Sequence, residues 1–314
     1  MNLKYKITEL PVPPEKYETN ILERLDWSKI CTTASFPESA RKFINGLLRY
    51  YRPQNVLEVG VFAGAGSINI LNAIMDLPNS TLTSIDLLEN TYPKEGFEGG
   101  PVGFVAKEQY PNLPANKWTL IAGKDCSEVL DSLEKTYDFV VIDTAHSHPA
   151  ETLNFLCVLP YLNEGAIVVL DDIALHFTRI CSMATRILLS SVTAFRLELE
   201  VADYPSNVAA FQITHDTKKY IESVFDSLLL HWVIWPDEVS FAKLMDNVEL
   251  HLDKHYPANL VDKFKRARKM GHALHYNGRK TVSPHSFFAS LTVEKLRSIP
   301  SNTIFYGAGV FTAF

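Results

Sequence analysis

Two short acidic segments carry the residue types that perform acid–base or metal chemistry. Asp143 is followed three residues later by His146, and Asp171 and Asp172 form an adjacent pair. Carboxylates that are brought together repel one another unless some are protonated or a cation joins them. Oxygen ligands of this kind suit Mg²⁺, Mn²⁺ or Ca²⁺, and histidine is well suited to take a proton near neutral pH. The carboxylates of these segments predict a divalent-cation site, with a histidine close to it in the chain.

A glycine-rich segment predicts a second site, for a ligand. The apolar run 56–59 contains Glu58 and leads into Gly60, Gly64 and Gly66, and a helical pattern follows. Glycines at a strand-to-helix turn let the backbone approach a ligand and direct amide N–H groups at it. Their order differs from the G-x-G-x-x-G fingerprint of dinucleotide sites, and the charge of Glu58 would repel a pyrophosphate. A ligand with a cation and an amino acid group suits the segment better; a turn without a ligand is the alternative.

The elements that must hold these residues alternate regularly along the chain. Near-continuous apolar strands separated by helical patterns predict a parallel sheet that is covered on both faces. The predicted strands are 56–59, 81–86, 118–123, 138–143 and 165–172. Right-handed crossovers place their carboxyl ends on one edge, where open α/β sheets bind ligands. Two more predicted strands, 195–201 and 207–213, are joined by a short link, which indicates an antiparallel hairpin.

The glycine turn and this alternation resemble motif I and the fold of the class I S-adenosylmethionine (SAM) methyltransferases. The resemblance covers roughly residues 36–215 and implies an α/β, Rossmann-like fold with a seven-stranded, mostly parallel sheet and an antiparallel edge strand. It implies SAM as the cofactor and assigns cofactor contacts to Glu58, Gly60, Gly64, Gly66, Ser67, Asp86, Asp125 and Asp143. Asp86 corresponds to the ribose-binding acid, Asp125 lies near the adenine, and Ser67 contacts the carboxylate of SAM. Helix capping is the alternative role of Asp86 and Ser67.

The Asp-x-x-His segment with its downstream acidic pair is similar to a narrower group. It resembles the metal-dependent O-methyltransferases, both the catechol type and the Mg²⁺-dependent sugar enzymes of the macrocin and mycinamicin type. That resemblance implies metal ligation by Asp143, Asp171 and Asp172 and proton abstraction by His146. The catechol type has an amide where this chain has Asp172. The alternatives are an acid that binds no metal, Asp172 as a helix cap, and His148 as the working residue.

The function predicted from these features is SAM-dependent O-methylation, assisted by a divalent cation such as Mg²⁺. A bound cation lowers the pKa of a hydroxyl, and the sulfonium of SAM already activates the methyl group, so alignment supplies most of what remains. The predicted acceptor is a sugar, a nucleotide-sugar or another polyhydroxylated small molecule. The alternatives are a metal-independent methyltransferase, a dinucleotide-binding oxidoreductase, and a non-catalytic SAM- or nucleotide-binding module of a multidomain protein.

The composition excludes some classes of protein. The chain has 314 residues, of which 46% are hydrophobic and 21% charged, with a net charge of −6 and a pI near 5.9. A nucleic-acid-binding protein would need a basic surface. Apolar runs stay well short of the roughly 20 residues that span a membrane. Widely spaced cysteines predict reduced thiols in a cytoplasmic protein: Cys31, Cys126, Cys157 and Cys181.

The chain is predicted to have four parts. An N-terminal lead-in covers 1–35, the methyltransferase domain 36–215, and a helical appendage for oligomerisation or substrate selection 216–300. Residues 301–314 resemble a strand that enters a second glycine turn. They predict the start of another nucleotide-binding-like unit of a longer chain, or a terminal strand that docks on the body.

Two segments outside the predicted sheet are candidates for contact with the substrate. The long insert 90–117 is rich in glycine and proline, which predicts either a lid or surface decoration. Five basic residues between 263 and 269 predict either a solvated helix face or a patch for an anionic substrate.

Overall fold

The structure, a computed structural model, describes most of the chain in two compact groups. The described residues are 25, 37–93, 98–174, 184–198, 207–230, 232 and 238–276. A sheet unit takes its residues from 1–144, 154–171 and 193–219, and a helical unit from 145–153, 172–192 and 220–314. The predicted lead-in, apart from residue 25, and the predicted unit at 301–314 lie outside the described residues, as do Cys31 and Cys181.

The sheet unit is built on seven strands in the order β3-β2-β1-β4-β5-β7-β6. The strands are β1 (Asn55–Val59), β2 (Thr81–Asp86), β3 (Trp118–Ala122), β4 (Tyr137–Ile142), β5 (Leu162–Asp171), β6 (Phe195–Glu198) and β7 (Val208–Gln212). Strands β1 to β5 pair in parallel, and β7 pairs antiparallel with both β5 and β6. The predicted α/β, Rossmann-like class of fold is confirmed.

The position of the antiparallel strand differs from the prediction in one detail. Strand β7 lies between β5 and β6, one place in from the edge, and β6 occupies the edge itself. The residues between β5 and β6 include a helix, and this long connection lets β6 skip one position. The chain then returns as β7 into the gap, where β7 pairs on both sides, with Ala209 opposite both Leu170 and Glu198.

Ten helices accompany these strands within the described residues. They are α1 (Glu38–Tyr51), α2 (Ala65–Ile74), α3 (Phe104–Gln109), α4 (Cys126–Leu133), α5 (Ala150–Val158), α6 (Ala184–Ser191), α7 (His215–Lys219), α8 (Glu222–Ser227), α9 (Glu238–His255) and α10 (Ala258–Tyr276). Within the predicted helical appendage the chain turns at residues 220 and 221, between α7 and α8. No described helix is long and apolar enough to cross a membrane.

The core of the sheet unit lies where α1 and α2 cover the central strands. Apolar residues of α1 recur at helical spacing, so they form one face of the helix. The face consists of Ala40, Phe43, Ile44, Leu47 and Leu48, all buried. It joins one apolar cluster with Ile70 and Ile74 of α2 and with Phe139 of β4. This packing holds β1, the strand that carries the glycine turn, between α-helices and its neighbouring strands.

The helical unit has its own aromatic core around Trp232. The indole is fully buried, its Nε1–H donates to the carbonyl oxygen of Leu228 at 2.6 Å, and its ring contacts Phe241 and Phe264. A Cβ at Gly271 of α10 would lie 2.8 Å from the indole. Trp232 therefore fits against α10 only because position 271 has no side chain.

Candidate active site

The glycine turn after β1 is shaped by a close contact with the end of β4. Gly60 has a φ of +90°, and a Cβ there would lie 1.8 Å from the carbonyl oxygen of Asp143. The backbone N–H of Gly60 donates to Ile85 and that of Asp143 to Val59, both at 2.9 Å. Gly60 is therefore required by the approach of neighbouring strands, whether or not a ligand is bound.

The rest of the turn is covered by the start of α3. Gly64, with a φ of +102°, is the N-cap of α2, and a Cβ there would lie 2.9 Å from Ala106. The N–H of Gly103 donates to Phe62 at 2.8 Å, and that of Val105 to Ala63 at 3.0 Å. The insert predicted as a lid or as decoration is thus anchored on the turn, and its role as a lid stays a prediction.

The third glycine of the motif, Gly66, is the second residue of α2 and is partly exposed.

Glu58 is a buried carboxyl group that two serines bind. The hydroxyls of Ser67 and Ser84 donate to its Oε2 at 2.5 and 2.6 Å, and Trp118 Nε1–H donates to Ser84 at 2.9 Å. Burial raises the pKa of Glu58 to about 7, although the two serine hydrogen bonds act in the opposite direction. Of the two roles predicted for Ser67, helix capping is not observed, because Gly64 is the cap and the serine hydroxyl donates to Glu58.

Asp86 fastens the glycine turn to the end of β2. Its Oδ2 accepts the N–H groups of Val61 at 2.8 Å and Phe62 at 2.9 Å, and its Oδ1 accepts that of Leu88 at 2.8 Å. The contact with ribose that was predicted for Asp86 stays a prediction.

Asp125 caps a helix in the structure. It is the N-cap of α4, and its carboxylate accepts the N–H of Ser127. The contact with adenine that was predicted for Asp125 stays a prediction, and the same carboxylate would have to serve both roles.

Two of the predicted metal ligands belong to neighbouring strands of the sheet unit. Ile142 and Leu170 are partners in the register of β4 and β5, and Asp143 and Asp171 are the residues that follow them. Asp171 is buried, with 7% of its surface exposed. The two acids therefore occupy equivalent positions at the carboxyl ends of adjacent parallel strands, as the alternation of the sequence predicted.

The other two predicted residues, His146 and Asp172, meet within the helical unit. His146 Nε2 lies 3.2 Å from Asp172 Oδ2, and the histidine side chain is 23% exposed. The alternative base, His148, is buried at 3% exposure, so His146 is the better placed of the two to reach a substrate. Both His146 and Asp172 have left-handed backbone conformations, with φ of +54° and +56°. Such conformations in non-glycine residues concentrate at functional sites.

Glu151 is a residue of this cluster that the sequence did not predict. Its Oε1 accepts the backbone N–H of His146 at 2.6 Å and lies 3.8 Å from Nδ1 of the same residue. The sequence gives one indication of Glu151: it is an acidic residue in the first turn of the helix that follows His146. Acids are common at that position because they favour the positive end of the helix dipole, so the signal is not specific.

The basic stretch of α10 is largely paired within the helical unit. Its ion pairs join Lys263 to Glu222 and Asp226, Lys265 to Asp253, and Arg268 to Asp246 and Glu249. These acids offset much of the positive charge of the helix. The pairs favour a solvated, salt-bridged face over a site for an anionic substrate.

Comparison with known proteins finds a family model that matches the central part of the chain. Residues 57–173, from β1 to just past the end of β5, match the family model described as a methyltransferase domain. The prediction of a methyltransferase is thereby confirmed. No curated protein sequence matches the chain.

Several solved structures are similar to this chain at low sequence identity. The O-methyltransferase TomG from Streptomyces achromogenes, involved in tomaymycin synthesis and solved with SAM, is 18% identical with a TM-score of 0.45 over 63% of this chain and 91% of that chain. The SAH-bound methyltransferase PaMTH1 from Podospora anserina is 15% identical, with a TM-score of 0.42 over 65% and 89%. An O-methyltransferase from Bacillus cereus in complex with SAH is 14% identical, with a TM-score of 0.40 over 66% and 94%.

Proposed function

We propose that the protein is a SAM-dependent O-methyltransferase that acts on a hydroxyl group of a sugar or another polyhydroxylated small molecule. One observation carries the proposal beyond the methyltransferase domain: the imidazole of His146, partly exposed, lies 3.2 Å from Asp172. A hydroxyl needs a base to become a nucleophile at neutral pH, and a histidine beside a carboxylate is suited to take the proton. Methyl transfer to a more nucleophilic nitrogen or sulfur would have less need of such a pair.

The cofactor part of the proposal rests on the turn after β1. Glu58, the glycines and Asp86 are the residues that the resemblance assigns to SAM. When Glu58 is ionised, above about pH 7, it would offer a negative charge to the amino group of the cofactor. Isothermal titration with SAM and with S-adenosylhomocysteine is expected to give saturable binding. Titration with NAD⁺ and NADP⁺ is expected to give none. Binding of a nicotinamide nucleotide in place of SAM would overturn the assignment.

The donor set of the acidic residues fits a hard divalent cation. Asp143, Asp171 and Asp172 offer only carboxylate oxygens, which Mg²⁺ prefers over the softer transition metals. When bound, such an ion supplies Lewis-acid polarisation of the acceptor hydroxyl. His146 would take the proton, and the turn after β1 would hold the methyl donor.

We predict that activity depends on the metal and on both strand-end acids. Transfer of a tritiated methyl group from SAM to UDP-glucose and to catechol, two probes with neighbouring hydroxyls, is the assay. EDTA is expected to abolish transfer and Mg²⁺ to restore it. Asp143→Asn and Asp171→Asn are each expected to lower kcat by about 100-fold or more, because each removes one charged ligand.

Asp138→Asn is the matched control, since Asp138 lies at the opposite end of β4, where its carboxylate accepts backbone N–H groups of residues 54 and 55. Activity that survives EDTA and both strand-end substitutions would leave the second candidate, a metal-independent methyltransferase. The His146–Asp172 contact favours that candidate, because a histidine beside a carboxylate can take the proton of a hydroxyl without the help of a cation.

A further inference from the structure

Glu151 is a carboxylate buried in the first turn of α5. It has 0% of its surface exposed. A buried carboxylate is costly unless hydrogen bonds compensate for the lost water. Its Oε1 accepts the backbone N–H of His146 at 2.6 Å. A separation of 2.6 Å is at the short end for a bond between an N–H group and an oxygen, so this bond is a strong local constraint on the position of His146.

The bond holds His146 in a conformation that the residue would not otherwise favour. A φ of +54° is in the left-handed region, where a side chain approaches the backbone too closely. The carboxylate offsets that strain by binding the N–H group in this conformation. Without the acceptor, the residue would relax toward ordinary backbone angles and the imidazole would be carried away from Asp172.

The ring of His146 is placed between two carboxylates as a result. Nε2 lies 3.2 Å from Asp172 Oδ2, and Nδ1 lies 3.8 Å from Glu151 Oε1. The second distance is too long for a hydrogen bond. Glu151 therefore acts on the ring chiefly through the backbone of His146.

We propose that Glu151 is the positioning residue for the general base His146, which it holds by accepting the backbone N–H. The inference rests on the proposed function for the role of His146, but the hydrogen bond itself can be tested without any acceptor molecule. Three variants separate the possibilities. Glu151→Gln keeps an oxygen acceptor without the charge, and Glu151→Ala removes the acceptor. Thr152→Val changes the next buried residue of α5, whose hydroxyl has no hydrogen-bond partner among the described residues.

The first measurement is amide hydrogen exchange at His146, followed by mass spectrometry at single-residue resolution. The His146 N–H is expected to be protected in the wild type, in Glu151→Gln and in Thr152→Val. In Glu151→Ala it is expected to exchange about tenfold faster or more, since exchange reports local opening. Equal exchange in the wild type and in Glu151→Ala would overturn the proposal.

The second measurement is methyl transfer from SAM to UDP-glucose and catechol. In Glu151→Ala, kcat is expected to fall about 10–100-fold, the usual effect of losing an outer-shell partner. In Glu151→Gln the loss is expected to be roughly fivefold or less, because a neutral acceptor remains. KM for SAM should not change in either variant, because Glu151 acts on the base and not on the cofactor.

A double-mutant cycle separates positioning from general damage. In the His146→Ala background, Glu151→Ala is expected to cause no further loss, since its effect passes through the missing base. A further loss equal to that in the wild-type background would overturn the positioning role. If the wild type transfers no methyl group to either probe, the proposed class of acceptor is wrong. The hydrogen-exchange measurement then still tests whether Glu151 holds the backbone of His146, because it needs no acceptor.

Discussion

At the scale of single residues, Glu58 gives the protein a stability that depends on pH. Its pKa is raised from 4.5 to about 7, chiefly by burial. Between these two values the folded protein holds a proton that the unfolded chain has lost. Stability therefore falls as the pH rises through this interval, and the full penalty is present above pH 7.

We predict that Glu58→Gln stabilises the protein at pH 8 and has little effect at pH 4.5. The glutamine oxygen can still accept both serine hydroxyls but carries no charge that burial opposes. The gain at pH 8 should be at most about 3 kcal/mol, at 1.36 kcal/mol for each pKa unit. Urea unfolding at the two pH values measures it.

Glu108→Gln, on the exposed surface of α3, is the control and should leave the pH dependence as it is. A loss of stability in Glu58→Gln at pH 8 would contradict the prediction. It would mean that the charged carboxylate is stabilised by its serines more than it is opposed by burial.

The polar residues near the glycine turn show where prediction from the sequence stops. Glu58 and Ser67 were both predicted to contact the cofactor, nine residues apart in the chain. In the structure the serine hydroxyl donates to the glutamate, since the first turn of α2 returns over the end of β1. A pattern of residue types places both side chains at one edge of the sheet, but it does not distinguish a contact with a ligand from a contact with each other.

At the scale of elements, two glycines provide a matched test of the contact between β1 and β4. Gly60 and Gly165 have similar φ angles, +90° and +86°. A Cβ at Gly60 would lie 1.8 Å from the carbonyl oxygen of Asp143, whereas the nearest atom to one at Gly165 is 4.0 Å away.

We predict that Gly165→Ala costs only the left-handed conformational penalty, about 1–2 kcal/mol. Gly60→Ala must also displace the end of β4 and is expected to cost more than about 4 kcal/mol. The free energy of unfolding in urea measures both. Similar losses in the two variants would mean that β4 moves aside at little cost.

The strands were predictable where their residues are continuously apolar. Strand β2 occupies residues 81–86, as predicted. Strand β5 was predicted from Gly165 but begins at Leu162. The pairing of β4 and β5 is irregular at that point, and Asn163 and Gly165 are residues typical of turns. Local residue preference therefore suggested a loop, whereas Leu162 pairs with Tyr137 of β4 ahead of the irregularity and extends the strand to that residue.

At the scale of the whole molecule, the two compact groups do not follow the order of the chain. The helical unit combines 145–153 and 172–192 with the C-terminal helices, so its first two pieces come from within the predicted methyltransferase domain. Within that unit, Ser223 Oγ donates to the carbonyl oxygen of Ser191 at 2.6 Å, and α6 contacts α8. Sequence patterns locate helices along the chain but carry little information about such distant pairings.

We predict that a chain cut after residue 219 does not behave as a well-folded protein. Helix α6 would lose its contact with α8, and Leu188 and Leu189, both fully buried, are on that helix. Exposed apolar surface of this kind promotes association. Size-exclusion chromatography and binding of the dye ANS measure the effect. A chain cut after residue 276 keeps every contact described above and is the control. A monomeric 1–219 chain that still binds SAM would contradict the prediction.

The contact at Gly60 has a consequence for how related sequences are interpreted. The clash at this position comes from a backbone oxygen of the neighbouring strand, so mutational drift cannot replace the glycine even in a descendant that has given up its cofactor. A degenerate copy of the domain would keep this glycine while the side chains facing the ligand diverged. Genome surveys that score the first glycine of the turn would therefore count inactive scaffolds as enzymes, and the position proposed here for the general base, 146, is the one to score beside it.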